Sequence, residues 1–130
     1  MNETLGKEYK LCSRKIIDRL FESGQKAHSF PFSAQYIIQD LPTKAKFQIT
    51  ISVPKRNFKK AHDRNRIKRL IRETVRRNKL ILETPLEMNQ QQLALFLIYK
   101  HSAELDYETL LHKTKKIFLL LNESIQKNEQ

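Results

Sequence analysis

The sequence predicts one small α+β domain, its elements running αββαβα, with roughly three strands packed by helices. Three observations predict it. The chain has 130 residues, enough for a single core and too few for two ordinary domains. Stretches of period-two apolar alternation are interleaved with stretches of helical period. No internal repeat or low-complexity linker divides the chain, so residues 1–130 read as one unit, with 1–8 and 125–130 expected to fray.

The first helix is "SRKIIDRLFESG". Ser13 is placed to cap it, Ile16, Ile17, Leu20 and Phe21 form its apolar face, and Gly24 ends it. Ser29 to Ile38 then reads as a strand with Phe30, Phe32, Ala34 and Tyr36 pointing one way. Pro31 puts the start of this strand at an edge or outside the ladder. "DLPTKAK" is a turn. In "KFQITISVP", Phe47, Ile49, Ile51 and Val53 alternate with Gln48, Thr50 and Ser52, which predicts one buried face and one polar face open to a ligand. The basic stretch from Lys59 to Lys79 is helical, and a loop is expected around Pro85 to Gln92. "LALFLIY", Leu93 to Tyr99, is apolar throughout, as a central strand covered on both sides would be. A last helix runs from about Asp106 to Ser124, with Tyr107, Leu110, Leu111, Ile117, Phe118 and Leu121 inward.

Charge narrows the function. The net charge is +11, which points to a polyanionic partner, a nucleic acid or an anionic membrane. No apolar run approaches the roughly 20 residues that span a bilayer, and the N-terminal stretch lacks the apolar core of a signal peptide, so the cytoplasm is the expected location. Membrane-surface binding would need a bulky apolar face exposed beside the charge, and here that face is required for the core. Cys12 is the only cysteine, which excludes an intrachain disulfide and a cysteine-based zinc cluster. With two glycines, Gly6 and Gly24, the chain has no phosphate-cradling glycine loop.

The stretch from Lys59 to Lys79 holds ten Lys and Arg residues and two carboxylates. At about 100° per residue from Arg64, Lys68, Arg72 and Arg76 fall at about 40°, 80° and 120°, with Asn65 and Arg69 close by. Ile67, Leu70, Ile71 and Thr74 occupy the opposite arc, so the helix divides into an apolar face and a cationic one. Glu73 sits away from the cationic arc, and Asp63 complements the helix N-terminus. "SVPKRNFKK" adds Lys55, Arg56, Lys59 and Lys60 between the polar-faced strand and the helix. A helix, a loop and an open strand face together suit an irregular or single-stranded partner more than a regular groove.

Ile51 to Glu73, "ISVPKRNFKKAHDRNRIKRLIRE", resembles the signature of the bacterial ribonuclease P protein component. The shared features are a strand ending in Ser-Val, paired basic residues, a short loop, then Arg-Asn-Arg opening a basic-apolar helix. The order of elements from "IIDRLFESG" to "LDYETLLHKTKKIFLLL" also agrees. The resemblance implies an α+β domain with a left-handed βαβ crossover, against the usual preference. It implies a protein that pairs with a large catalytic RNA in an endoribonuclease holoenzyme, which removes the 5′ leader from precursor tRNA. Arg64, Asn65 and Arg66 would then lie against the RNA subunit, together with Lys55, Arg56, Lys59, Lys60 and Arg69. The single-stranded leader would lie between the first helix and the sheet, touching Phe21, Gln35 or Tyr36, Lys68 and Arg72. Ile17 stands where the family often has an aromatic, one turn before Phe21.

No catalytic residue is assigned to the protein. Its Asp residues (18, 40, 63 and 106) and His residues (28, 62, 101 and 112) are scattered without metal-ligand or acid–base spacing, and His62 with Asp63 reads as local capping. The expected cofactor is Mg²⁺ held mainly by the RNA partner. No protein partner is indicated. The alternative is a structural RNA-binding module like a ribosomal protein, which would share the charge but would not need the Arg-Asn-Arg start. A metal-dependent protein nuclease would need carboxylates converging on a cleft.

Overall fold

The computed structural model describes residues 5–127. After a 3₁₀ turn (Lys7–Tyr9), the elements are α1 (Arg14–Ser23), β1 (Gln25–Ser29), β2 (Phe32–Ile38), β3 (Phe47–Ser52), α2 (Ala61–Asn78), α3 (Leu80–Met88), β4 (Leu93–Tyr99) and α4 (Tyr107–Lys127). They form an α+β domain around one four-stranded mixed sheet of order β1-β2-β4-β3. β1, β2 and β4 pair antiparallel, whereas β3 and β4 are parallel neighbours joined through α2 and α3.

The expected order αββαβα therefore needs two corrections. The strand expected over Ser29 to Ile38 is a hairpin: Gln25–Ser29 is a strand of its own, and Phe30–Pro31, joined by a cis peptide bond, make the turn. Pro31 lies outside the ladder, where its missing N–H costs no strand pairing. The loop expected from Pro85 to Gln92 begins only at Asn89, because Pro85–Met88 is the second half of α3. Proline has no N–H to offer the carbonyl of Ile81 one turn earlier. The Asn122 amide of α4 supplies that donor, 2.7 Å from the Ile81 oxygen.

Ser13 caps α1 as expected, accepting from the Ile16 N–H at 3.3 Å. At Gly24 the chain turns out of the helix so tightly that a Cβ would stand 2.3 Å from the Leu20 carbonyl oxygen. Only glycine fits there. Within the ends expected to fray, Leu5 and Ile125 are buried in the main core, while residues 1–4 and 128–130 lie outside the described ones.

The two faces of the sheet differ. Phe32, Ala34, Tyr36, Phe47, Ile49, Leu93, Leu95, Leu97 and Tyr99 pack under α2, α3 and α4. Ile67, Ile71 and Val75 of α2 meet Leu110, Ile117, Phe118 and Leu121 of α4 in the same core. Thr74 and Thr114 join their hydroxyls 2.8 Å apart between these two helices, which satisfies both buried groups. Tyr107 and Leu111, expected inward, are only half-buried. On the other face, Ile16 and Leu20 of α1 pack with Leu11, Leu41 and Ala94. One short helix cannot cover four strands, and the remainder of that face stays open.

Candidate nucleic-acid interface

Strand register decides which side chains share the open face. Lys26, Gln35, Phe96 and Thr50 stand in one cross-strand row, and His28, Ser33, Ile98 and Ser52 in the next. Phe21, projecting from α1, meets Phe96 edge-on with ring centroids 5.0 Å apart. Phe21 keeps 50% of its surface in solvent, so it forms a wall of the cleft between α1 and the sheet. Ile17, one turn earlier on α1, is half-buried against the small core. Of the two residues expected on the strand, Gln35 lies on this face. Tyr36 does not: it is 3% exposed in the opposite core, its hydroxyl 3.1 Å from Gln25 Oε1. Alternation permits only one of two neighbours on each face, so Tyr36 is removed from the cleft.

Across the sheet, the cleft meets α2. Asn65, Lys68, Arg69 and Arg72 line a depression with Lys10, Leu11 and Ile49 to Ile51. Lys68 and Arg72 thus overhang the β3 edge, and Thr50 belongs both to this depression and to the row containing Gln35 and Phe96. Lys10 and Leu11 were not foreseen. They come from a segment that pairs with β3, where the Leu11 N–H donates to the Ile49 carbonyl at 3.1 Å and Thr50 Oγ1 donates to the Leu11 carbonyl at 2.9 Å. Phe96 was missed as well, because an all-apolar strand does not reveal which of its residues face the cleft.

Lys55, Arg56, Lys59 and Lys60 are exposed on the loop that enters α2. Lys60 is the N-cap of α2 and no side chain caps that end, so backbone N–H groups and loop cations face the same space. Such an end favours anions, phosphate oxygens among them. The three residues opening α2 have separate tasks. Arg64 Nη1 donates to the Phe58 and Lys59 carbonyls at 2.8 and 3.0 Å, fixing the loop on the helix. Arg66 turns to the opposite side and pairs with Glu104 and Asp63. Glu104 raises the Arg66 pKa further by hydrogen bond and charge. Asn65 lines the depression.

One expected feature of the cationic arc changes. Glu73 is close enough to pair with Arg76, whose hydrogen bond holds the Glu73 carboxyl below its usual range. The arc is therefore neutralised near Arg76 and stays unneutralised from Lys55 to Arg72, apart from Arg66. His62 Nδ1 and Asp63 Oδ1 are 3.4 Å apart at the exposed start of α2, but Asp63 also holds Arg66 and makes no capping bond. Among the described residues, no three His, Cys, Asp or Glu residues converge as metal ligands. No helix among them is long and apolar enough to cross a membrane.

The family model described as Ribonuclease P matches residues 5–122. The chain belongs to this family. The ribonuclease P protein component of Photorhabdus laumondii is 32% identical over 113 residues, 86% of this chain and 86% of that protein. That of Porphyromonas gingivalis is 34% identical over 86 residues, 66% of this chain, and the match spans 63% of that protein's length. The solved ribonuclease P protein of Thermotoga maritima superposes with a TM-score of 0.68 at 20% identity, covering 85% of this chain and 96% of that one. The Staphylococcus aureus protein gives 0.67 at 18%, covering 87% and 94%. These two likenesses bear on the fold, which is that of bacterial ribonuclease P proteins.

Proposed function

We propose that the chain is the RNA-binding subunit of a ribonuclease P ribonucleoprotein, assisting endonucleolytic removal of the 5′ leader from precursor tRNA in the cytoplasm. Family membership supports this reading, and one observation carries it. A cleft walled by an exposed aromatic shares Thr50 with a depression at a cationic helix edge, and Asn65 of the uncapped helix start lines that depression. Single-stranded RNA needs that combination, a stacking surface for bases and positive charge along its backbone. Phe21, Gln35, Lys68 and Arg72 would bind the leader. Lys55, Arg56, Lys59, Lys60, Asn65 and Arg69 would meet phosphates of the catalytic RNA subunit, with Arg64 holding the loop that presents them. Arg66 would meet the RNA with its charge partly offset by Glu104 and Asp63.

Mg²⁺ would be held mainly by the RNA partner. The protein's part is to position substrate and to screen phosphate repulsion. Cleavage of precursor tRNA by the cognate RNA subunit, with and without this protein, tests the reading. At low Mg²⁺ the protein should raise the rate strongly and at high Mg²⁺ far less. No stimulation at any Mg²⁺ concentration would overturn it in favour of a structural RNA-binding module.

A further inference from the structure

The end of the sheet away from the α1 packing carries an aromatic that the cleft does not use. Phe30, in the β1–β2 turn, is 59% exposed. It is nonetheless held in place. Its ring lies edge-to-face with His101, centroids 5.0 Å apart, and the Pro31 carbonyl accepts the Lys100 N–H at 2.7 Å. The contacts continue inward, with His101 6.3 Å from Tyr99 and Tyr99 6.2 Å from Phe58 in the cationic loop. An exposed phenylalanine on its own means little. This one is fixed by a row of rings that ends at the basic loop.

The charge around it has the same sign as the loop. Lys113 of α4 places its ammonium 6.0 Å from the Phe30 ring centre, and Lys100 is exposed beside the turn. Of the two carboxylates in the segment leading to α4, Glu104 pairs with Arg66 and Asp106 caps α4 by accepting the Thr109 N–H at 3.0 Å. Glu104 is thus offset by Arg66, and Asp106 is turned to the α4 backbone. His101 and Lys113 connect the ring to the α4 side of the sheet, whereas Phe21 and Gln35 lie on the other side. A leader lying in the cleft would therefore have to cross the sheet to reach it.

We infer that Phe30 is a stacking platform for an unpaired base of the catalytic RNA subunit, a second contact beyond the Arg-Asn-Arg helix start and separate from the leader cleft. The inference rests on the proposed RNA-subunit partnership. An aromatic face takes any base, and the two lysines beside it suit the attached phosphates.

The chain contains no tryptophan, so Phe30→Trp is a unique reporter at this position. On addition of the RNA subunit its fluorescence should be quenched and shielded from acrylamide, with affinity equal to or tighter than that of the unmodified protein. Phe30→Ala, with an unchanged circular dichroism spectrum, should weaken RNA-subunit binding by about 5- to 150-fold. The preference of the assembled holoenzyme for leader-bearing over mature tRNA should stay as it was. Salt-sensitive binding of the RNA subunit with unquenched fluorescence in Phe30→Trp, or with undiminished affinity in Phe30→Ala, would sink this inference and spare the proposed function. Loss of leader preference in Phe30→Ala would move the platform to the substrate and equally overturn it. Failure of the unmodified protein to bind the RNA subunit at all would remove both.

Discussion

Half of the Phe21 surface lies in solvent while its edge rests on Phe96, so the ring is oriented by the core without belonging to it. That is the condition for a stacking surface, because a mobile ring would lose entropy on binding and a buried one would be out of reach. Lys68, in the depression beyond Thr50, would add charge for the backbone of the proposed leader. In assembled holoenzyme, Phe21→Ala and Lys68→Ala should each weaken binding of precursor tRNA bearing a leader of several nucleotides, the former by about 1–3 kcal/mol. Mature tRNA should bind almost as before, and equal losses for both substrates would place these residues outside the leader path. The family resemblance made Phe21 a candidate, while its place on the helix put it on the apolar face. Sequence could not separate rim from core, because Ile16 and Leu20 share its apolar face and the distinction depends on how far α1 covers the sheet. The choice between Gln35 and Tyr36 likewise needed the register of β2 against β4. Arg64 and Arg66 look equivalent in sequence, yet one fastens a loop and the other is engaged by a carboxylate 38 positions away.

At the scale of elements, strong periodicity was legible and weak periodicity was not. The stripe of Ile67, Ile71 and Val75 on α2 carries its burial in its sequence, and β3 and β4 do so in part: Gln48, expected on the open face, is buried with its amide on the Glu8 carbonyl, Ile51 is only half-buried, and Phe96 opens to the cleft from an all-apolar strand. β1, "QKAHS", is an exposed edge strand without an apolar alternation, and only its pairing with β2 makes it a strand. α3 continues through Pro85 because tertiary structure repairs the backbone that proline leaves unpaired. Asn122 is the repair. Asn122→Ala should destabilise the domain by about 1–3 kcal/mol, since the Ile81 carbonyl would lose its partner in a partly buried place. In a double-mutant cycle with Pro85→Ala, which restores an N–H to α3, most of that loss should disappear. Independent, additive effects would show that the amide is not replacing the helix bond.

For the whole molecule, the useful quantity is the charge left over after internal pairing. Lys46 pairs with Glu87, Arg66 with Glu104 and Asp63, and Arg76 with Glu73. Among the described residues, Lys55, Arg56, Lys59, Lys60, Lys68, Arg69 and Arg72 take part in no ion pair, and all lie on the loop and the α2 edge. The carboxylates thus hold some cations to the fold, and of the cations without an ion pair these seven share one surface. If these seven each displace a counterion, the plot of log affinity against log salt should have a slope of about −5 to −6, the lower value applying to single strands. Raising salt from about 50 to 200 mM should then weaken RNA-subunit binding by about 10³- to 10⁴-fold. Substituting Lys59 and Lys60 by alanine should reduce the slope by nearly two without changing the circular dichroism spectrum. A slope near zero in the unmodified protein would mean that RNA docks elsewhere. An unchanged slope in the double variant would confine docking to the α2 edge, with the loop serving only to connect it to β3.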